Sequence, residues 1–139
     1  KSIIGGMSRL QGHTASNACT ISQYAGLEAV KQHDHADLQA MIAAFDERRL
    51  LAVERLAEIE GLVTLHPEGA FYLFVDVRNF LSDGATTTEF CEALLDEKGV
   101  ATVPGEAFGT PGWLRLSYAR SIEEMERGLK LFKDHLSVR

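Results

Sequence analysis

The stretch from Asp34 to Glu60 places Leu38, Met41, Ile42, Phe45, Ala52, Val53, Leu56 and Ile59 on one helical stripe. That pattern predicts a helix from Asp34 or Ala36 to Glu60. Asp34 and Asp37 suit its positive N-terminal end, and Gly61 supplies a stop. At 1.5 Å per residue such a helix is about 37 Å long, more than the diameter of a small domain. A helix of that length spans two domains or lies along one side of a sheet. It therefore divides the chain into a helical first part and a mixed second part.

Before it, Ile3, Ile4, Met7 and Leu10 predict a short helix over 3–10. Gln11 to Asn17 (QGHTASN) reads as a polar loop. Ile21, Tyr24, Ala25, Leu27 and Val30 form a second helical stripe, with Thr20 or Ser22 as its cap. After Gly61, strands and helices alternate. Leu62–Leu65 is a short strand and His66–Gly69 a turn. Ala70–Val77 (AFYLFVDV) is the strongest strand, aromatic and β-branched. Thr86–Glu97 is an amphipathic helix capped by one of Thr86 to Thr88 and stopped by Gly99. Val100–Val103 and Trp113–Tyr118 are further strands. Ser121 caps a last helix to Leu136, with Glu124 as its capping-box acid and Ile122, Met125, Leu129, Phe132 and Leu136 inside. The order predicts an α/β fold with a small mixed sheet packed with helices.

Composition narrows the function classes. The 139 residues include 14 Lys plus Arg against 20 Asp plus Glu, a net charge of −6. A nucleic-acid binder normally shows a basic face, so that class is disfavoured. Cys19 and Cys91 form no CxxC pair, which removes a zinc ribbon or thioredoxin-type site. Both are expected as small buried apolar groups in a reducing, cytoplasmic setting. No apolar run approaches the roughly 20 residues that cross a bilayer. The first residues lack a signal-peptide core and an initiator Met, so the chain is expected to start inside something larger.

Arg115 is the most informative polar residue. It lies in an apolar strand, WLRLS, sharing a face with Trp113 and Ser117 and opposing Leu114 and Leu116. An arginine there either reaches solvent or is held to take a carboxylate in bidentate fashion. The loop Pro104–Gly109 (PGEAFG) holds two glycines, which implies special backbone angles or a close approach. No lysine follows, so a phosphate cradle is unconvincing and a plain loop is favoured. Residues 11–17 serve either as a capping loop or as donors to an anion. His33 and His35 lack a third ligand for a metal, and no nucleophile triad stands out.

Five segments resemble the C-terminal part of a fold-type I pyridoxal-phosphate aminotransferase, of the bacterial aspartate/aromatic type. They are SRLQGHTASNACTISQYAGLEAV (8–30), FDERRLLAVERL (45–56), PEGAFYLFVDV (67–77), VATVPGEAFGTPGWLRLSYARS (100–121) and the closing helix. The resemblance implies that residues 1–32 end a large cofactor-binding domain. It makes 33–60 an interdomain helix and 61–139 a small substrate-closing domain. It implies that Arg115 grips the substrate α-carboxylate and that Phe71 lines the substrate pocket. It places the loop bearing Thr14, Ser16 and Asn17 at a homodimer interface, near the cofactor phosphate of the neighbouring subunit. It puts the 103–108 loop near the site entrance. The expected partners are an amino acid, a 2-oxo acid and a second copy of the protein. The family's Schiff-base lysine falls upstream of this segment, and Lys1 is not that lysine. The groups that hold the pyridine ring, and the phosphate cup, are missing too. The 139 residues alone are thus expected to be inactive. The rival expectation is a free-standing, non-catalytic α/β domain that dimerises or binds a regulatory ligand. Such a domain would cover the apolar residues near Met7, Ile21 and Leu38, whereas a severed one would expose them.

Overall fold

The structure, a computed structural model, describes residues 2–32 and 35–137. The expectations for Lys1, His33 and Asp34 lie outside the described residues. The chain falls into two compact units, residues 1–40 and 41–139. Among the described residues no helix is long and apolar enough to cross a membrane.

In the first unit, α1 spans Ser2–Thr14 and α2 spans Thr20–Lys31. Helix α1 runs four residues into the segment expected to be a loop. The Thr14 hydroxyl donates to the Leu10 carbonyl at 3.1 Å, a bond compatible with helical backbone. Ser16, at φ 55°, then turns the chain out. Helix α2 begins on Cys19, which makes no side-chain cap bond, so neither Thr20 nor Ser22 caps it. Cys19 is exposed, contrary to the expected burial, while Cys91 is buried. Neither helix buries a residue: Met7 is 65 % and Ile21 80 % exposed.

Helix α3 spans Ala36–Ala57. Its 22 residues measure about 33 Å. It stops three residues before Glu60 because the chain tightens there. Ile59 N–H donates to Leu56 carbonyl and Leu62 N–H to Ile59 carbonyl, and Gly61 at φ 81° completes the turn. That turn brings Ile59 into the core beside Leu56.

The second unit is built on four strands, β1 Val63–Leu65, β2 Tyr72–Asp76, β3 Val103–Pro104 and β4 Trp113–Ser117. Their order is β1-β2-β4-β3, and every neighbouring pair is antiparallel. The α/β architecture stands, but the sheet is not mixed. The reason is topological. The crossover β2–α4–β3 sets β2 and β3 in one direction, as a strand–helix–strand sequence demands. Strand β4 then slots between them, so no parallel pair is in contact.

Alternation along β2 and β4 sends Leu73, Val75, Leu114 and Leu116 to one face. That face is covered by Ala52 and Leu56 of α3, by Phe90, Cys91 and Leu94 of α4 (Thr87–Lys98), and by Met125, Phe132 and Leu136 of α5 (Ile122–Leu136). Both later helices carry the capping boxes written in their sequences. Thr86 and Glu89 close α4, and Ser121 and Glu124 close α5. Gly99 at φ 69° ends α4. His135 is also buried, its Nδ1 3.2 Å from Glu97 Oε2 and its ring edge-on to Phe90.

The Ser121 hydroxyl accepts Glu124 N–H at 3.2 Å, satisfying a backbone donor that α5 otherwise leaves open. Ser121→Ala is expected to lower stability by about 1 kcal/mol. Urea unfolding followed by circular dichroism measures it, and an unchanged midpoint would contradict the cap's role.

Candidate functional site

The α-helix residues of the core pack on one face of the sheet, opposite the face that carries Phe74 and Arg115. Register places Leu65, Phe74, Arg115 and Val103 in one row across it, and Val63, Asp76 and Trp113 in the next. Tyr72 and Ser117 form a third. Arg115 therefore stands on the open face, half-buried, as the alternation WLRLS predicts.

Its surroundings are aromatic. The guanidinium carbon lies 5.0 Å from the ring centre of Tyr72 and 5.0 Å from that of Phe108. Both distances fall within cation–π range. Phe74 stacks on Trp113 at 5.3 Å and meets the edge of Phe108 at 6.1 Å. Phe71 sets its ring edge-on to Tyr72 at 5.6 Å. Phe71 and Arg115, both expected at a substrate site, are thus linked through Tyr72. Among the described residues Arg115 makes no ion pair, so the donors on the fork's edge are open to an incoming anion.

The backbone before Phe71 is tightly held. Tyr118 is buried and its hydroxyl donates to the Ala70 carbonyl at 3.1 Å. Its backbone N–H and the Ser117 hydroxyl both donate to the Phe71 carbonyl, at 2.8 and 3.4 Å. Ala70 adopts φ 65°, a left-handed angle that a residue with a Cβ takes only when its surroundings impose it. Burial also pushes the Tyr118 phenol above its ordinary range, keeping the hydroxyl a donor.

The other end of the sheet is fixed by charge. Asp76 accepts Arg78 Nε at 2.9 and 3.0 Å, Arg78 Nη2 at 2.5 Å and the Arg78 backbone N–H at 3.0 Å. The Arg78 side chain lies across Gly112, where a Cβ would come within 2.4 Å of Arg78 Cγ. Gly112 carbonyl accepts Val77 N–H at 2.9 Å, which aligns the start of β4.

The glycine loop shows both features its composition implied. A Cβ on Gly105 would sit 2.1 Å from the Thr110 carbonyl, so the close approach is real. Gly109 takes φ 71°. Between them Gly105–Phe108 forms a 3₁₀ turn, not a plain loop. In the first unit, the hydroxyl of Thr14 donates to Leu10 carbonyl. That of Ser16 donates to Gly12 carbonyl at 3.0 Å, and the Asn17 amide donates to Ala18 carbonyl at 3.1 Å. All three are exposed.

Cavities open in the second unit among the described residues. One of about 780 Å³ is bounded by the end of β4, the 98–101 segment and α5. One of about 290 Å³ is bounded by Phe45, Asp46, Arg49, Ala70 and Tyr118. Arg115 lines neither, so the guanidinium sits on an open face beside β2.

The family described as aminotransferase class I and II matches residues 1–132. The chain belongs to that family. It is 44 % identical over 133 residues to an aspartate aminotransferase of Thermotoga maritima, covering 96 % of this chain and 32 % of that protein. It is 42 % identical over 128 residues to a probable aspartate/prephenate aminotransferase of Aquifex aeolicus, covering 91 % and 32 %. The crystal structure of the Thermotoga maritima aspartate aminotransferase matches with a TM-score of 0.77 at 43 % identity, over 93 % of this chain and 32 % of that one. The aromatic aminotransferase structure from Pyrococcus horikoshii matches with a TM-score of 0.79 at 36 % identity, over 94 % and 35 %. The chain thus spans about a third of the length of the aminotransferases it matches.

Members of this family normally use pyridoxal phosphate. The guanidinium on the open face can take an anionic group, whereas covalent attachment of that cofactor needs a lysine amine. No lysine occurs among the residues that register assigns to the face bearing Arg115. Covalent attachment of the cofactor therefore finds no partner there. Sequence reasoning missed Tyr72 as a neighbour of Arg115. Its only signal was the alternation of two strands, and their register was needed to make them neighbours.

The Arg78 guanidinium beside Asp76 holds its carboxyl below the usual carboxylate range. Because the folded value is lowered, this stabilisation is present above the unfolded value of about 3.9 and is lost as pH falls below it. Asp76→Asn is expected to flatten the acid limb of the stability curve below about pH 4. Unfolding midpoints from pH 6 to 2.5 test this, and an acid limb as steep as the parent's would contradict it.

Proposed function

We propose that this chain is the part of an aminotransferase that grips the substrate carboxylate and closes over it. The intact enzyme moves an amino group between an L-amino acid, of aspartate or aromatic type, and a 2-oxo acid. The observation that carries the reading is Arg115: a half-buried guanidinium between aromatic rings, with no ion pair among the described residues, on the open face of the sheet. A planar fork matches a carboxylate with two parallel N–H···O bonds, which fix the direction of the Cα–H bond. Phe71, placed through Tyr72 beside Arg115, supplies the apolar wall. Pyridoxal phosphate, when bound, supplies the electron sink of the reaction. This chain's own residues bind and orient the substrate.

The same reading makes 61–139 the small domain, 33–60 the connecting helix and 1–32 the end of the large domain. Thr14, Ser16 and Asn17 then face the cofactor phosphate of a neighbouring subunit in a homodimer, exchanging their internal carbonyl partners for phosphate oxygens. Met7 and Ile21 are exposed, which supports this reading over a free-standing regulatory domain, while Leu38, the third residue of that comparison, is half-buried.

In the full-length enzyme, Arg115→Ala is expected to raise the amino-acid KM by more than about tenfold, or 1.4 kcal/mol. A smaller change would remove the carboxylate role. The 139-residue chain mixed with pyridoxal phosphate and borohydride is expected to trap no stoichiometric adduct on a single lysine. Mass spectrometry reads this directly, and one defined stoichiometric adduct would overturn the expected inactivity.

A further inference from the structure

An arginine on an open sheet face has four rotatable side-chain bonds, and a grip on a carboxylate requires one guanidinium plane. In this chain the plane is set by neighbours on both sides of β4. Tyr72 arrives from β2, and Phe108 arrives from the turn that follows β3. Tyr72 is part of a regular strand and needs no further support. Phe108 sits at the end of a single 3₁₀ turn, which by itself is weak structure.

Gly105 packs closely against the carbonyls of Thr110 and Trp113, and Phe108 meets the edge of Phe74; the side-chain hydrogen bond that joins the turn to α4 is made by a carboxylate. Glu106, its second residue, accepts the Thr87 backbone N–H at 2.9 Å through Oε1. Thr87 is the first residue of α4, whose leading N–H groups have no partner inside the helix. Thr87 is fully buried, and its hydroxyl accepts Gly112 N–H at 2.7 Å, one residue before β4 begins. The carboxylate therefore connects the turn bearing Phe108, the start of α4 and the start of the strand bearing Arg115. The second oxygen of Glu106 is buried with no hydrogen-bond partner among the described residues. A buried oxygen without a partner gains nothing by its position, so the bond made through Oε1 is what the side chain supplies.

We infer that Glu106 is a positioning residue for the carboxylate grip: it holds the Gly105–Phe108 turn so that the Phe108 ring, with Tyr72, fixes the guanidinium plane of Arg115. The inference rests on the carboxylate-grip reading of Arg115 and extends it to Phe108 and, behind it, Glu106. The bond that matters is the one to Thr87 N–H, which an amide oxygen can accept as well as a carboxylate. Glu106→Gln is thus expected to restore what Glu106→Ala loses.

The test is made in the full-length enzyme with Phe108→Leu, Glu106→Ala and Glu106→Gln, and with Arg115→Ala as the reference. KM and kcat for an amino-acid substrate are measured together with the ¹H–¹⁵N signal of the Arg115 Nε–H, which nearby ring currents displace. Phe108→Leu and Glu106→Ala are expected to raise KM about tenfold with kcat within about twofold of the parent. Both are expected to move the Nε–H signal toward that of a free arginine. Glu106→Gln is expected to recover most of both changes. An unchanged KM in Phe108→Leu, a fall in kcat alone, or a Glu106→Gln variant no better than Glu106→Ala would overturn the inference. Should Glu106→Ala fail to fold, Phe108→Leu decides, because it leaves the backbone bonds of the turn in place. Should Arg115→Ala leave KM unchanged, the carboxylate reading fails by itself. The Nε–H signal, which needs no substrate, then decides the clamp separately.

Discussion

Strand β4 is hydrogen-bonded on both sides, to β2 and to β3, and that double pairing governs what the second unit can do. Period-two alternation sends Leu114 and Leu116 into the core and Trp113, Arg115 and Ser117 outward. A slip of one residue would exchange the faces and drive a guanidinium into a layer of Leu, Val and Phe. The register is therefore held by hydrophobic burial on one face. It is held again at the strand's start, where Gly112 bonds to Val77 and to Thr87. Fold stability and the orientation of Arg115 follow from the same pairing.

The open face is unusual in its chemistry. Tyr72 and Phe108 flank the Arg115 guanidinium, Phe74 and Trp113 stack beside Phe108, and Tyr72 and Phe108 stay partly in contact with water. Aromatic side chains contribute most to stability when fully buried. Leaving them half-open forgoes part of that gain, and the arrangement instead sets aromatic faces against a charged fork. The strained Ala70 and the locked Phe71 carbonyl extend the same rigidity to the neighbouring wall.

Much of this was legible in the chain. The two capping boxes, the left-handed Gly99, the α5 stripe and the outward face of Arg115 all rest on interactions within a few residues. Local rules also erred where context prevailed. Gln11–Thr14 look like a loop because they are small and polar, yet the Thr14 hydroxyl satisfies the helix it extends. Cys19 looks like a buried group, yet it begins a helix that no part of its unit covers. The order of elements suggests a mixed sheet, yet nothing in that order reveals that β4 lies between β2 and β3 and makes every pair antiparallel.

The amino-acid sequence by itself determined which residues face inward, where helices α4 and α5 begin, and which family the segments resemble. Each depends on periodicity or on spacings of three or four residues, and these survive without knowledge of the fold. Only the tertiary structure decided that Tyr72 and Phe108 flank Arg115, or that Glu106 caps a helix nineteen positions before it in the chain. Those contacts join residues distant in sequence. Their geometry is set by strand register and by the close approach at Gly105, quantities that no local pattern encodes.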